Sequence, residues 1–173
     1  MDMTDLQILQ LLYHDGRATQ ESIAREVVLS RPAVHDRLRR LESQGIIQGY
    51  RVVVDWALLG YLTAFIWIRT SGGKLHDIAH EIMRVQCAGA LVEECHLITG
   101  EWCLLLKVRT ASTVSLQSLI DRLREMSRVR NTMTTLVLSS AGDRQNLQEM
   151  DSEGEAKARA ASFPDFSFLL RRP

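Results

Sequence analysis

Between Arg31 and Arg40 the chain places four arginines, one histidine and a single acid, in the run Arg31-Pro32-Ala33-Val34-His35-Asp36-Arg37-Leu38-Arg39-Arg40. A guanidinium presents a planar fork of donors that matches guanine edges and phosphate oxygens, so this cluster is suited to double-stranded DNA. With Val34, Leu38 and Leu41 turned inward at helical spacing, the outer face holds Arg31, Ala33, His35, Asp36, Arg39 and Arg40. The amino-terminal part of such a helix reaches the bases. There Arg31 can bond guanine and Ala33 can touch a thymine methyl, with Pro32 and His35 beside them. Ser30, Arg37, Arg39 and Arg40 are placed for phosphates. A plain three-helix bundle with a solvated charged face has the same spacing, and His35 alone reads as readily as a surface residue. The basic stripe favours DNA.

The thiols are the second candidate chemistry. Cys87, Cys95 and Cys103 form no C-x-x-C pair and no disulfide framework, which points to a reducing cytoplasm. A tight hairpin about Thr99-Gly100 sets Cys103 nearly opposite His96, and such a pair can bind a metal or sense oxidants. Two ligands are too few for a structural zinc site. The thiol reads first as packing, and no metal or other cofactor is expected. There is no glycine-rich phosphate loop, nucleophile elbow or paired-carboxylate signature, so the chain does not read as an enzyme.

Three helices must position the basic run. Thr4 is expected to cap the first, with Asp5 in its opening turn and Leu6, Leu9, Leu12 and Tyr13 at helical spacing up to Gly16. Thr19 caps a short second helix with Ile23, Ala24 and Val27 inside. Val28-Leu29 form the turn, Ser30 caps the third helix, Pro32 sits in its first turn and Gly45 follows its end. A β-rich stretch, Ile46 to Asp55, reads as a strand and hinge. The pattern then alternates: strand Leu62–Arg69, helix Leu75–Val85, strand Leu91–Ile98, turn Thr99–Glu101, strand Trp102–Arg109, helix Ser112–Met126, strand Thr132–Leu138. This β-α-β-β-α-β order is ferredoxin-like, and its sheet has one face under helices and one face in need of a cover, such as another subunit. Residues 140–162 read as a solvated or weakly helical tail. The apolar end, with Phe163, Phe166 and Phe168, reads as a docking segment or a disordered terminus.

Composition sets limits. Lys and Arg total 21 and Asp and Glu total 21, so bulk charge gives DNA binding no help and contact must be local. Eighteen of the basic residues are Arg, which suits bidentate contacts but also follows genome base composition. No segment approaches the roughly 20 apolar residues that cross a bilayer, and the acidic start Met1-Asp2-Met3-Thr4-Asp5 does not read as a secretory signal.

Three segments carry a family resemblance. They are Asp5-Leu6-Gln7-Ile8-Leu9 with Asp15-Gly16-Arg17; Leu29-Ser30 with Val34 to Glu42 and Gly45-Ile46-Ile47-Gln48-Gly49-Tyr50; and Glu94 to Glu101 with Leu105-Leu106-Lys107. Over about residues 4–139 the chain resembles the Lrp/AsnC, or feast/famine, transcriptional regulators. The resemblance implies an α+β chain. A winged-type helix-turn-helix domain would occupy residues 1–48, a hinge strand or linker 49–61, a ferredoxin-like effector and oligomerisation domain 62–139, and a tail 140–173. It implies a homodimer formed through the sheets, assembling to tetramers or octamers. It also implies an amino acid or related metabolite bound between effector domains, at Ile98, Thr99, Gly100, Glu101, Trp102, Cys103, Thr132 and Thr134. The family hairpin usually continues with Asp and Tyr, whereas this chain has Cys103 and Leu104. A thiol cannot pair with an ammonium group as a carboxylate does. Glu101, two residues earlier, stands as its substitute. Siroheme decarboxylases share the architecture, but their His/Tyr/Asn-rich run is absent. The alternatives are a redox- or metal-responsive regulator using Cys103 and His96, and a DNA-free metabolite-binding assembly protein.

Overall fold

The computed structural model describes residues 1–139, which divide into two compact units at the Val53–Val54 boundary. The tail and its apolar end lie outside the described residues.

The first unit is all helical: α1 (Met3–His14), α2 (Gln20–Glu26) and α3 (Arg31–Ser43). Ile8, Ile23, Ala24, Val34 and Leu38 form its core, with Leu11, Leu12, Ala18, Val27, Leu29 and Ile47 packed around them. The cap of α1 is Asp2, not Thr4. The Asp2 carboxylate accepts from the Asp5 N–H and the Asp5 carboxylate accepts from the Asp2 N–H, both at 2.9 Å. This reciprocal box satisfies two amides at once and starts the helix at Met3, which leaves Thr4 inside the first turn.

The strand expected over Ile46–Asp55 is not formed. The Ile46 and Ile47 N–H groups turn back to the Leu41 carbonyl at 3.0 and 3.2 Å, and Gly45, at φ +69°, makes that reversal possible. Beyond them the chain is extended without a ladder, leaving Val52 86% and Val53 67% exposed. A β-prone sequence becomes a strand only where a neighbouring edge accepts it, and no described strand of this chain does so.

The second unit is ferredoxin-like. Strands β1 (Leu62–Thr70), β2 (Ala90–Leu97), β3 (Leu104–Thr110) and β4 (Val129–Leu136) form an antiparallel sheet in the order β2-β3-β1-β4. Helices α4 (Leu75–Met83) and α5 (Thr113–Glu125, capped by Ser112) connect them. Alternate residues of β1 and β3, namely Ala64, Ile66, Ile68, Leu104, Leu106 and Val108, pack against Ile78, Ile82, Leu119 and Leu123 of the helices. The opposite face is left without a helical layer and carries Phe65, Trp67, Leu105 and Met133 in adjacent register. Strand β4 begins three residues earlier than the alternation predicts. The Val129 N–H closes on the Met126 carbonyl at 2.9 Å, and the chain enters the sheet at once.

Candidate nucleic-acid interface and effector turn

A short helix, a tight turn and a second helix are present between Gln20 and Ser43. The Thr19 hydroxyl accepts from the Ser22 N–H at 3.1 Å and starts α2. The turn is closed by the Leu29 N–H on the Ala24 carbonyl at 2.9 Å, with Val28 at φ +53°. The Ser30 hydroxyl then accepts from the Ala33 N–H at 3.3 Å, and Pro32 occupies the first turn of α3 without needing a donor. Val34, Leu38 and Leu41 are buried. Arg31, Pro32, His35, Asp36 and Arg39 are exposed and Ala33 is half-buried, so α3 presents a basic face beginning at a capped helix terminus. The His35 Nδ1 lies 3.2 Å from the Gln20 amide nitrogen of α2.

Arg37 and Arg40, both read as phosphate contacts, are engaged within the unit. Arg37 Nη1 donates to both oxygens of Asp2, at 2.8 and 2.7 Å, and to Asp5 Oδ1 at 2.7 Å. Arg40 Nη2 donates to both oxygens of Asp5 at 2.9 and 2.8 Å. Asp5 is fully buried. Burial pushes its pKa up, but the Asp2 N–H, the Arg37 hydrogen bond and the Arg40 charge outweigh that and hold it below the ordinary value. Asp2 is lowered chiefly by its hydrogen bond from Arg37, whose own pKa is raised in return. Sequence reasoning missed this cluster. Asp5 reads locally as a first-turn acid, and its partners lie 32 and 35 residues away.

In the second unit the expected effector residues divide. The β2–β3 connection is wider than a two-residue hairpin: Leu97 pairs with Leu104, and the Ile98 N–H reaches the Cys103 carbonyl at 3.0 Å. Ile98, Thr99, Gly100, Glu101, Trp102 and Cys103 therefore form one loop. His96 stands opposite Leu105, with its Nε2 2.9 Å from Glu94, so the proposed His96–Cys103 pair is not made. Among the described residues no group of three His, Cys, Asp or Glu could hold a metal ion. The Cys103 N–H donates to the Ile68 carbonyl at 2.9 Å. Its thiol is held below the ordinary value by hydrogen bonds from the Thr70 N–H and hydroxyl, helped by the Arg69 charge. Arg69 forms an ion pair with Glu101 and stacks on Trp102, 5.4 Å from the ring centre. Glu101 is thus neutralised from within, and Arg69 and Thr70 join the loop unannounced by the sequence. Thr132 and Thr134 pair with Ile68 and Ile66, with β1 between them and β3. The Thr132 hydroxyl accepts from Arg124 Nε at 3.0 Å. Within one copy these threonines are not brought into the loop.

Comparison with known proteins bears on both units. Residues 1–48 match a winged helix-turn-helix DNA-binding domain and residues 63–147 the Lrp/AsnC ligand binding domain. The transcriptional regulator LrpA of Mycobacterium tuberculosis is 33% identical over 149 residues, covering 85% of this chain and 97% of its own length. The chain belongs to the Lrp/AsnC family. This Lrp/AsnC protein is a DNA-binding transcriptional regulator, with the helix-turn-helix and ferredoxin-like units its sequence predicts. The crystal structure of M. tuberculosis LrpA superposes with a TM-score of 0.73 at 32% identity, over 83% of this chain and 96% of that one. A regulator of Neisseria meningitidis in complex with L-methionine gives 0.72 at 26% identity, over 83% and 93%. The regulator FL11 of Pyrococcus horikoshii is 27% identical over 141 residues, covering 81% of this chain and 91% of its own length.

Proposed function

We propose that this regulator reads DNA with Arg31, Pro32, Ala33 and His35 at the start of α3, and fixes its register on phosphates with Ser30 and Arg39. A small metabolite held at the Ile98–Cys103 loop of paired effector units controls that binding. The observation that carries the reading is the capped basic face of α3: Arg31, His35 and Arg39 are exposed together, and among the described residues they form no ion pair. In this reading residues 1–48 bind DNA, 49–61 form a hinge and 62–139 bind effector and assemble. The chain acts in the cytoplasm as a regulator rather than an enzyme, as its likeness to transcriptional regulators supports.

The test uses a duplex selected by the protein from a random pool. Arg31→Ala should flatten preference at one base position, whereas Arg39→Ala should weaken binding to all duplexes and lower the salt slope by about one. Equal loss on every duplex for both variants would remove Arg31 from base reading.

An amino acid is the effector favoured by the methionine-bound neighbour. Cys103 and the neutralised Glu101 supply no free carboxylate for its ammonium group, so related carboxylates belong in the same screen. A ligand at about 100-fold its dissociation constant stabilises by about 2.7 kcal/mol, within reach of thermal shift. Absence of any shift across both classes would count against this loop as the site.

A further inference from the structure

The two carboxylates that engage α3 are not equivalent. Asp5 is buried and held by the Asp2 N–H, Arg37 and Arg40, with the Met1 ammonium 4.0 Å away. Asp2 sits at the rim, its side chain 53% exposed, and among the described residues it holds only Arg37 beyond capping α1. Both of its oxygens lie within 2.8 Å of Arg37 Nη1, and the Arg37 side chain is 24% exposed. Two anionic oxygens on one guanidinium are also what a phosphodiester offers.

We propose that Asp2 occupies, on Arg37, the place of a DNA backbone phosphate, and that DNA binding exchanges the carboxylate for the phosphate. This rests on α3 facing DNA. Asp5, still 2.7 Å from Arg37 Nη1, keeps the guanidinium in place while its outer partner changes. The partner given up is solvent-exposed and screened, so little is lost in releasing it. The incoming phosphate belongs to a polyanion that sheds condensed counterions, so the exchange runs toward DNA. Asp2 is then an affinity determinant that acts on every sequence alike and leaves base preference untouched.

Asp2→Asn separates charge from capping, because Asn caps helices about as well as Asp. Affinities are measured by fluorescence anisotropy on the selected duplex and a scrambled one, for the full chain, Asp2→Asn, Arg37→Gln and the double variant. Asp2→Asn should tighten binding to both duplexes several-fold with their ratio unchanged. That gain should be clearly smaller in the Arg37→Gln background. With Asp2→Asn present, Arg37→Gln should lower the salt slope by about one. An equal gain in both backgrounds would mean long-range charge alone and would overturn the exchange, as would no gain. If Arg37→Gln melts below the assay temperature, Arg37→Lys replaces it; its shorter side chain keeps the charge on the buried Asp5 and reaches less far toward the rim, so the gain should again shrink. If Arg39→Ala leaves binding intact, the placement of α3 on DNA fails and the exchange with it. If Arg39→Ala weakens binding while the Asp2→Asn gain ignores Arg37, only the exchange fails.

Discussion

At the scale of single residues, the turn between α2 and α3 carries an avoidable strain. Val28 adopts φ +53° with its side chain 87% exposed, so a β-branched residue sits in the left-handed region with no packing to compensate. That conformation costs an L-residue about 1–2 kcal/mol, and Asn tolerates it better. Val28→Asn should therefore stabilise the helical unit by about 1 kcal/mol and raise its melting temperature by a few degrees in a circular-dichroism melt. A lowered melting temperature would show that the valine side chain holds the turn. The sequence locates this turn correctly through the caps on either side, Thr19 and Ser30. It does not announce the backbone reversal, because Val28 stands where Gly or Asn usually signals one. The basic face is readable in the same partial way. Arg31, His35 and Arg39 are where helical periodicity puts them, exposed on α3. The same periodicity cannot tell that Arg37 and Arg40 are engaged by acids at the start of α1.

At the scale of elements, those acids fasten α1 to α3. Asp5→Asn should leave Arg37 and Arg40 short of a buried anion. Breaking a fully buried pair costs about 3–5 kcal/mol, and since both arginines are partly exposed the expected loss is about 2 kcal/mol. The pH dependence follows in sign. Asp2 and Asp5 both titrate below the ordinary value of 3.8, so unfolding raises their proton affinity. The stability they contribute is complete above that ordinary value and is lost as pH falls through their lowered native values. Melts of the wild-type chain should fall steeply below about pH 4, and those of Asp5→Asn less so. Parallel curves would place the acid sensitivity elsewhere.

Element order in the sheet unit is readable because apolar alternation and helical spacing are local signals: α4 starts at Leu75 as predicted, and α5 starts one residue later than predicted, with Ser112 as its cap. Hairpin register is not local in this sense. The β2–β3 loop spans Ile98 to Cys103, which separates His96 from Cys103. The β-rich run through Val52 and Val53 likewise depends on an edge outside the described fold.

At the scale of the whole molecule, a neutral chain has to gain DNA affinity from somewhere other than bulk charge, since its 21 basic and 21 acidic residues cancel. A single α3 offers few cations to DNA, since Arg40 is held by the buried Asp5 and Arg37 is shared with the same acid. Two copies joined by another surface would add their contacts, because the second helix binds at an effective concentration that can reach about millimolar. The sheet supplies a candidate for that surface. Trp67 lies between Leu105 and Met133, and Phe65 is 6.3 Å from it, on the face opposite the helices. Beside them Lys107 and Arg109 are already neutralised by Glu93 and Glu94, so covering this face strands no unpaired charge. A second copy of the chain is the occupant proposed here. Trp67→Arg should shift the protein toward monomer in size-exclusion chromatography with light scattering, while its circular dichroism stays that of the folded chain. On a duplex with two half-sites its affinity should fall steeply, and on a single half-site it should match wild type. The pairing of those results is decisive: an equal fall on both duplexes would mean that the substitution damages the helical unit, and an unchanged mass would mean that the copies meet elsewhere.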